Sequence, residues 1–127
     1  MKFVIGVALL SALLSAPASA RDIEVDTILT CDTHGQAERV GTLLHGDAQN
    51  VVSAVREVNA EENSQTACGL VNAAYVRGKV LTTVRAKGET FQIVPILVIG
   101  ILNETGGVQS VPQNVYFSVF EIDERAA

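Results

Sequence analysis

The sequence predicts an α+β domain: one strand, two short helices, then a four-strand antiparallel meander forming a curved or partly closed sheet. Three observations lead there. The apolar pattern has period two over residues 22–30, helical spacing over residues 34–58, and period two again from residue 66. Helices gathered ahead of a run of strands, rather than alternating with them, indicate an antiparallel α+β sheet. Pro95 and Gly100 interrupt the longest apolar run, where such residues bend a strand and let a sheet curl. A cystatin-like wrap and a small SH3-like barrel both satisfy this order, and neither implies a function.

The elements follow from local chemistry. In the first strand Ile23, Val25, Thr27 and Leu29 share one face, and Asp22, Glu24 and Asp26 share the other, a charged face that suits an edge. Thr33 and Gln36 form a capping box, with Ala37, Val40, Leu43 and Leu44 at helical spacing behind it and Gly46 as the stop. Gly41 weakens this helix by about 1 kcal/mol relative to alanine. Asp47 caps a second helix whose expected apolar face is Val51, Val52, Val55 and Val58. Because β-branched residues are poor helix formers, packing must hold it.

The strands of the second half are expected at Cys68–Val76, Val80–Arg85, Phe91–Leu102 and Asn114–Ile122. Arg77-Gly78-Lys79 turns the first of these, Lys87-Gly88 marks a hairpin, and Asn103–Pro112 is a glycine-rich loop. Phe91–Leu102 has apolar residues at both parities, so it is the central strand and both its faces must be covered. A closed sheet implies a monomer that binds through the loops Glu61–Thr66 and Asn103–Pro112. An open one implies a homodimer or partner on the uncovered face. Pro95 and Gly100 favour closure and hence the monomer.

The N-terminus reads as an export signal. Lys2 is the positive region, Phe3–Leu14 the apolar region, and Ala18-Ser19-Ala20 supplies the small residues for cleavage between Ala20 and Arg21. The apolar region is shorter than the roughly twenty residues a membrane span needs, so no spanning segment is expected after cleavage. Residues 1–20 are then a signal peptide, and residues 21–127 form one small domain that is periplasmic or secreted. Cys31 and Cys68, an even pair in an exported chain and outside any Cys-x-x-Cys, read as a structural disulfide.

Charge and composition exclude several functions. With 14 acidic and 9 basic residues the net charge is −5, the wrong sign for a nucleic-acid binder. At 48% hydrophobic residues, the chain has the means to build a core. His34 and His45 sit at opposite ends of one helix, about 16 Å apart at roughly 1.5 Å per residue, so they cannot chelate one ion, and no metal or cofactor site is expected. Ser53, Ser64, Ser110 and Ser118 lie in no nucleophile elbow, and the disulfide removes Cys31 as a nucleophile beside His34. The carboxylates Glu61-Glu62 and Asp123-Glu124 read as solvated surface. Arg77 and Lys79 are separated from Arg85 and Lys87 by a strand of roughly 23 Å, so they form two tips and no basic patch.

Three residues remain as ligand candidates. Tyr75 and Tyr116 could line a small apolar groove with Phe120, although large apolar side chains are more often core. Asn72 shares a strand face with Cys68, Leu70, Ala74 and Val76, and a buried structural hydrogen bond is its plainer role. The resulting reading is an exported, small, non-enzymatic domain that binds a protein partner or a small ligand. The alternatives are a small secreted hydrolase using surface carboxylates and a structural envelope component.

Overall fold

The computed structural model describes residues 22–122. The expected signal peptide with its Ala20–Arg21 junction, and the pair Asp123-Glu124, lie outside the described residues. The elements are β1 (Glu24–Cys31), α1 (His34–Leu43), a 3-10 turn (Ala48–Asn50), α2 (Val51–Glu61), β2 (Cys68–Arg77), β3 (Thr82–Ala86), β4 (Glu89–Leu102) and β5 (Val108–Ile122). All pairings among the strands are antiparallel, so the α+β class stands.

β4 is the central strand, paired with β5 along one edge and with β2 and β3 along the other. The expected meander differs in one respect: β2 and β3 do not pair with each other. They run in sequence along the same edge of β4, separated by residues 78–81. Pro95 explains the gap. A strand residue directs its N–H and C=O to the same neighbour, and proline has no N–H to give. Opposite Pro95 the partner strand is interrupted, and the Gly78 N–H donates to the Pro95 carbonyl at 2.7 Å. A Cβ on Gly78 would lie 2.9 Å from Pro95 Cγ, so the approach requires glycine. β3 and β4 then join through Lys87 and Gly88, both at positive φ (54° and 82°), the two-residue turn that matches strand twist.

The strand pairings form a ring, β1–β2–β4–β5, closed by the single pair Cys31–Phe117. Two apolar clusters result. Outside the ring, α1 and α2 cover Leu29, Cys31, Phe91 and Ile93 with Ala37, Val40, Leu44, Ala54 and Val58. Inside it, Ile28, Ala73, Tyr75, Ile96 and Val98 pack on one another with no helix over them. Ile96 and Val98 are 1% and 4% exposed, so the inner face of β4 is covered as its sequence required. Gly41 lets α1 sit close to the sheet, since a Cβ there would already touch Ile93 and Val84 at 3.4 Å.

Several local expectations need correction. In β1 only Leu29 of the anticipated buried face is buried; Ile23 and Val25 are 61% and 53% exposed. The helices reach only the Cys31 end of that strand. The opposite, charged face turns inward, where Ile28 is buried and Glu24 meets Tyr75 and Arg77. In α2 the inner face is Val51, Ala54, Val55 and Val58, the strict helical spacing, and Val52 is exposed. Asp47 caps the 3-10 turn ahead of α2 rather than α2 itself. β5 begins at Val108, so much of the expected Asn103–Pro112 loop is strand.

Candidate ligand-binding cleft

The cleft depends first on how the start of β2 is held. Cys31 and Cys68 are directly opposed across β1 and β2, with Cα atoms 4.1 Å apart, and they are joined by a disulfide. The Asp32 N–H donates to Ala67 O at 2.9 Å, one residue beyond, which marks the narrow, non-hydrogen-bonded type of antiparallel pair. Asn59, near the end of α2, clamps the same point: its Oδ1 accepts from the Cys68 N–H at 2.8 Å, and its Nδ2 donates to Cys68 O at 3.0 Å and to Gln65 O at 3.2 Å. One helix and one covalent bond thus fix the edge from which β2 departs.

Part of the ring interior is sealed by an aromatic and ionic group. Tyr75, 2% exposed, stacks on Phe120 at 6.2 Å, and the Arg77 guanidinium lies 3.7 Å from the centre of the Phe120 ring. Arg77 Nε and Nη2 donate to Glu24 at 2.7 and 2.9 Å, and the Tyr75 hydroxyl donates to the same carboxylate at 3.3 Å. Burial, with the Glu24 carboxylate beside it, pushes the Tyr75 phenol above the ordinary tyrosine range, against the opposing pull of Arg77. None of these four side chains lines the cleft.

Elsewhere the interior opens into a cleft of 650 Å³ between the β1–β2 arm and the ends of β4 and β5. Its apolar wall is Val71, Val98, Ile101, Val111 and Tyr116, all belonging to the interior cluster. Its polar side chains are Thr30, Asp32, Gln65, Thr66 and Asn114, and Asn114 Nδ2 donates to the Tyr116 hydroxyl at 3.3 Å. A size of roughly 300–1,000 Å³, apolar walls and a few polar groups are the features of small-molecule sites. Ser118 lies on the same face of β5, two residues past Tyr116; it is 0% exposed and its hydroxyl has no hydrogen-bond partner. A second depression, of 510 Å³, beside Arg56, Asn59 and Asn63 is an open surface feature on the end of α2.

The structure sorts the sequence candidates. Tyr116 lines the cleft, while Tyr75 is core and Phe120 stacks on it. Asn72 is exposed and its amide oxygen accepts from the Thr27 hydroxyl, so the buried hydrogen bond expected of it is not there. The reason is that its face of β2 lies outside the ring and beyond the reach of the helices. His34 and His45 remain apart; His34 Nε2 lies 2.7 Å from Thr82 Oγ1 and its ring stacks on Phe117 at 6.2 Å. Among the described residues no group of three potential metal ligands comes together. Both cysteines are in the disulfide. Of the two loops expected to carry binding, Gln65 and Thr66 from the first and Val111 and Pro112 from the second reach the cleft.

Sequence reasoning missed Asn59, Asp32 and the aliphatic wall. Val98 and Ile101 were visible only as part of an apolar run, and nothing in that run marks which residues leave space between them.

Fold and site together define a small disulfide-linked α+β domain with an internal apolar cleft. Comparison of the chain with protein-family models, curated proteins and solved structures finds no match.

Proposed function

We propose that this protein is an exported, non-enzymatic domain that binds a small apolar or amphipathic ligand in the cleft beside Tyr116. The observation that carries the reading is the composition of the wall: five residues packed in or against the interior cluster also border the open space of the cleft. Apolar surface left unfilled inside a close-packed domain forfeits contacts that a ligand restores. The disulfide and the lack of a membrane-crossing helix among the described residues support a periplasmic or secreted setting. The ring of paired strands, with both helices on its outside, supports barrel-like closure over a sheet wrapped around the helices.

The test is binding of a neutral, environment-sensitive dye such as N-phenylnaphthylamine, followed by its fluorescence. Wild type should bind it saturably. Val111→Trp and Thr66→Trp, which place an indole in the cleft from the wall and from the rim, should each weaken binding at least about tenfold, the effect of roughly 1.4 kcal/mol. Undiminished binding in both folded variants would refute the assignment.

A second reading has its own observation. Val76, Leu97 and Val115 stand in one cross-strand row on the outer face of the sheet, and Val115 is 51% exposed. This row favours a protein partner or a second copy on that face. Sedimentation velocity over a wide concentration range tests the homodimer, and a monomer throughout removes it.

A further inference from the structure

The cleft carries a charge preference as well as an apolar wall. Among the described residues, Asp32 is the one charged side chain that lines it; no described lysine, arginine or histidine does. Asp32 follows β1 directly, and its backbone is fixed by the N–H bond to Ala67 next to the disulfide. Its carboxylate makes no ion pair among the described residues. The other polar side chains at the rim, Thr30, Gln65, Thr66 and Asn114, are neutral and both donate and accept, so they discriminate little between a cationic and an anionic head. The Tyr116 ring adds a π face, which attracts cations and not anions.

We propose that the cleft selects amphiphiles with a cationic head, such as a long-chain amine, over carboxylates of the same chain length. The chain would lie against Val71, Val98 and Ile101, and the head would sit at the rim by Asp32. A fatty-acid-like ligand would meet the same apolar wall and then place its carboxylate beside an uncompensated one. This inference rests on the ligand-cleft reading above and adds the chemistry of the head group.

The experiment is competition against the bound neutral dye by dodecylamine and by dodecanoate at neutral pH, both below the concentrations at which they form micelles. A single exposed ion pair changes affinity by only a few-fold, and here attraction of the amine and repulsion of the carboxylate add. Dodecylamine should therefore displace the dye at about tenfold lower concentration than dodecanoate. In Asp32→Asn that ratio should fall to about twofold. Asp26→Asn removes an equal charge from an exposed β1 position that does not line the cleft, and it should leave the ratio unchanged.

Equal displacement by the two chains, or equal effects of Asp32→Asn and Asp26→Asn, would overturn the head-group selection while dye binding still stood. Failure of wild type to bind the dye would instead overturn the cleft reading itself. Each variant is checked by far-UV circular dichroism, so that a folding defect is not scored as lost selectivity.

Discussion

Asn59→Ala is the most informative single stability experiment, because one side chain closes three hydrogen bonds between α2 and the β2 entry. The two to Cys68, at 2.8 and 3.0 Å, are part-buried; the third, to Gln65, is exposed and contributes little. At about 1 kcal/mol net for each part-buried bond, and somewhat more because the Cys68 N–H and C=O are left without partners, the loss is about 2–3 kcal/mol. Alanine's higher helix propensity returns about 0.5 kcal/mol, leaving a net loss of about 2 kcal/mol. The chain has no tryptophan, so urea unfolding is best followed by far-UV circular dichroism. With an m value of roughly 1–3 kcal/mol/M, the midpoint should fall by about 1 M with the slope unchanged. Asn59→Asp keeps the acceptor for the Cys68 N–H but sets a carboxylate against two carbonyls, and it should do no better than alanine. A loss below about 0.5 kcal/mol in Asn59→Ala would show that water replaces the clamp at no cost and would refute the argument.

Three further outcomes are expected. The Cys31→Ala, Cys68→Ala double variant should lose about 4 kcal/mol, the chain-entropy value for a sequence separation of 37, with each single variant close to the double; a loss under about 1 kcal/mol in the unfolding free energy from urea titration would contradict it. Ser118→Ala removes a fully buried hydroxyl that has no partner, so stability should rise by up to about 1 kcal/mol, and a loss of more than 1 kcal/mol would show that the hydroxyl is satisfied in solution. Tyr75 has its pKa raised in the fold, so its contribution is complete below the unfolded value of about 10 and is lost as pH rises through the folded one. Alkaline titration followed by phenolate absorbance should show one tyrosine ionising late. Tyr75→Phe should abolish that late phase, and its persistence would assign it elsewhere.

What the sequence made legible was local. The capping box at Thr33 and Gln36, the Lys87-Gly88 hairpin, the disulfide and the central place of Phe91–Leu102 all depend on neighbouring residues or on a single periodicity. What it hid depends on which element covers which face. The alternation in β1 is real, but parity does not say how far a helix reaches along a strand, so Ile23 and Val25 share the face of buried Leu29 and still stand exposed. Asn59 looks like any polar helix residue until β2 is placed against it. The cleft was illegible for the same reason: Val71, Val98, Ile101 and Val111 have the composition of core, and only the three-dimensional closure leaves space between them. Pro95 is intermediate. Its presence implied an irregularity, yet that the irregularity falls in the neighbouring strand follows only from the register.

The placement of the two tyrosines gives the molecule a built-in optical readout. With no tryptophan to dominate the emission, near-ultraviolet fluorescence comes from Tyr75 and Tyr116 alone. One is shut away beneath Phe120 and Arg77, and the other stands in the wall of the cleft. A neutral collisional quencher should therefore divide the signal into a shielded fraction and an accessible one. Occupancy of the cleft becomes measurable on the unlabelled protein, as protection of the accessible fraction, with the shielded tyrosine as an internal standard.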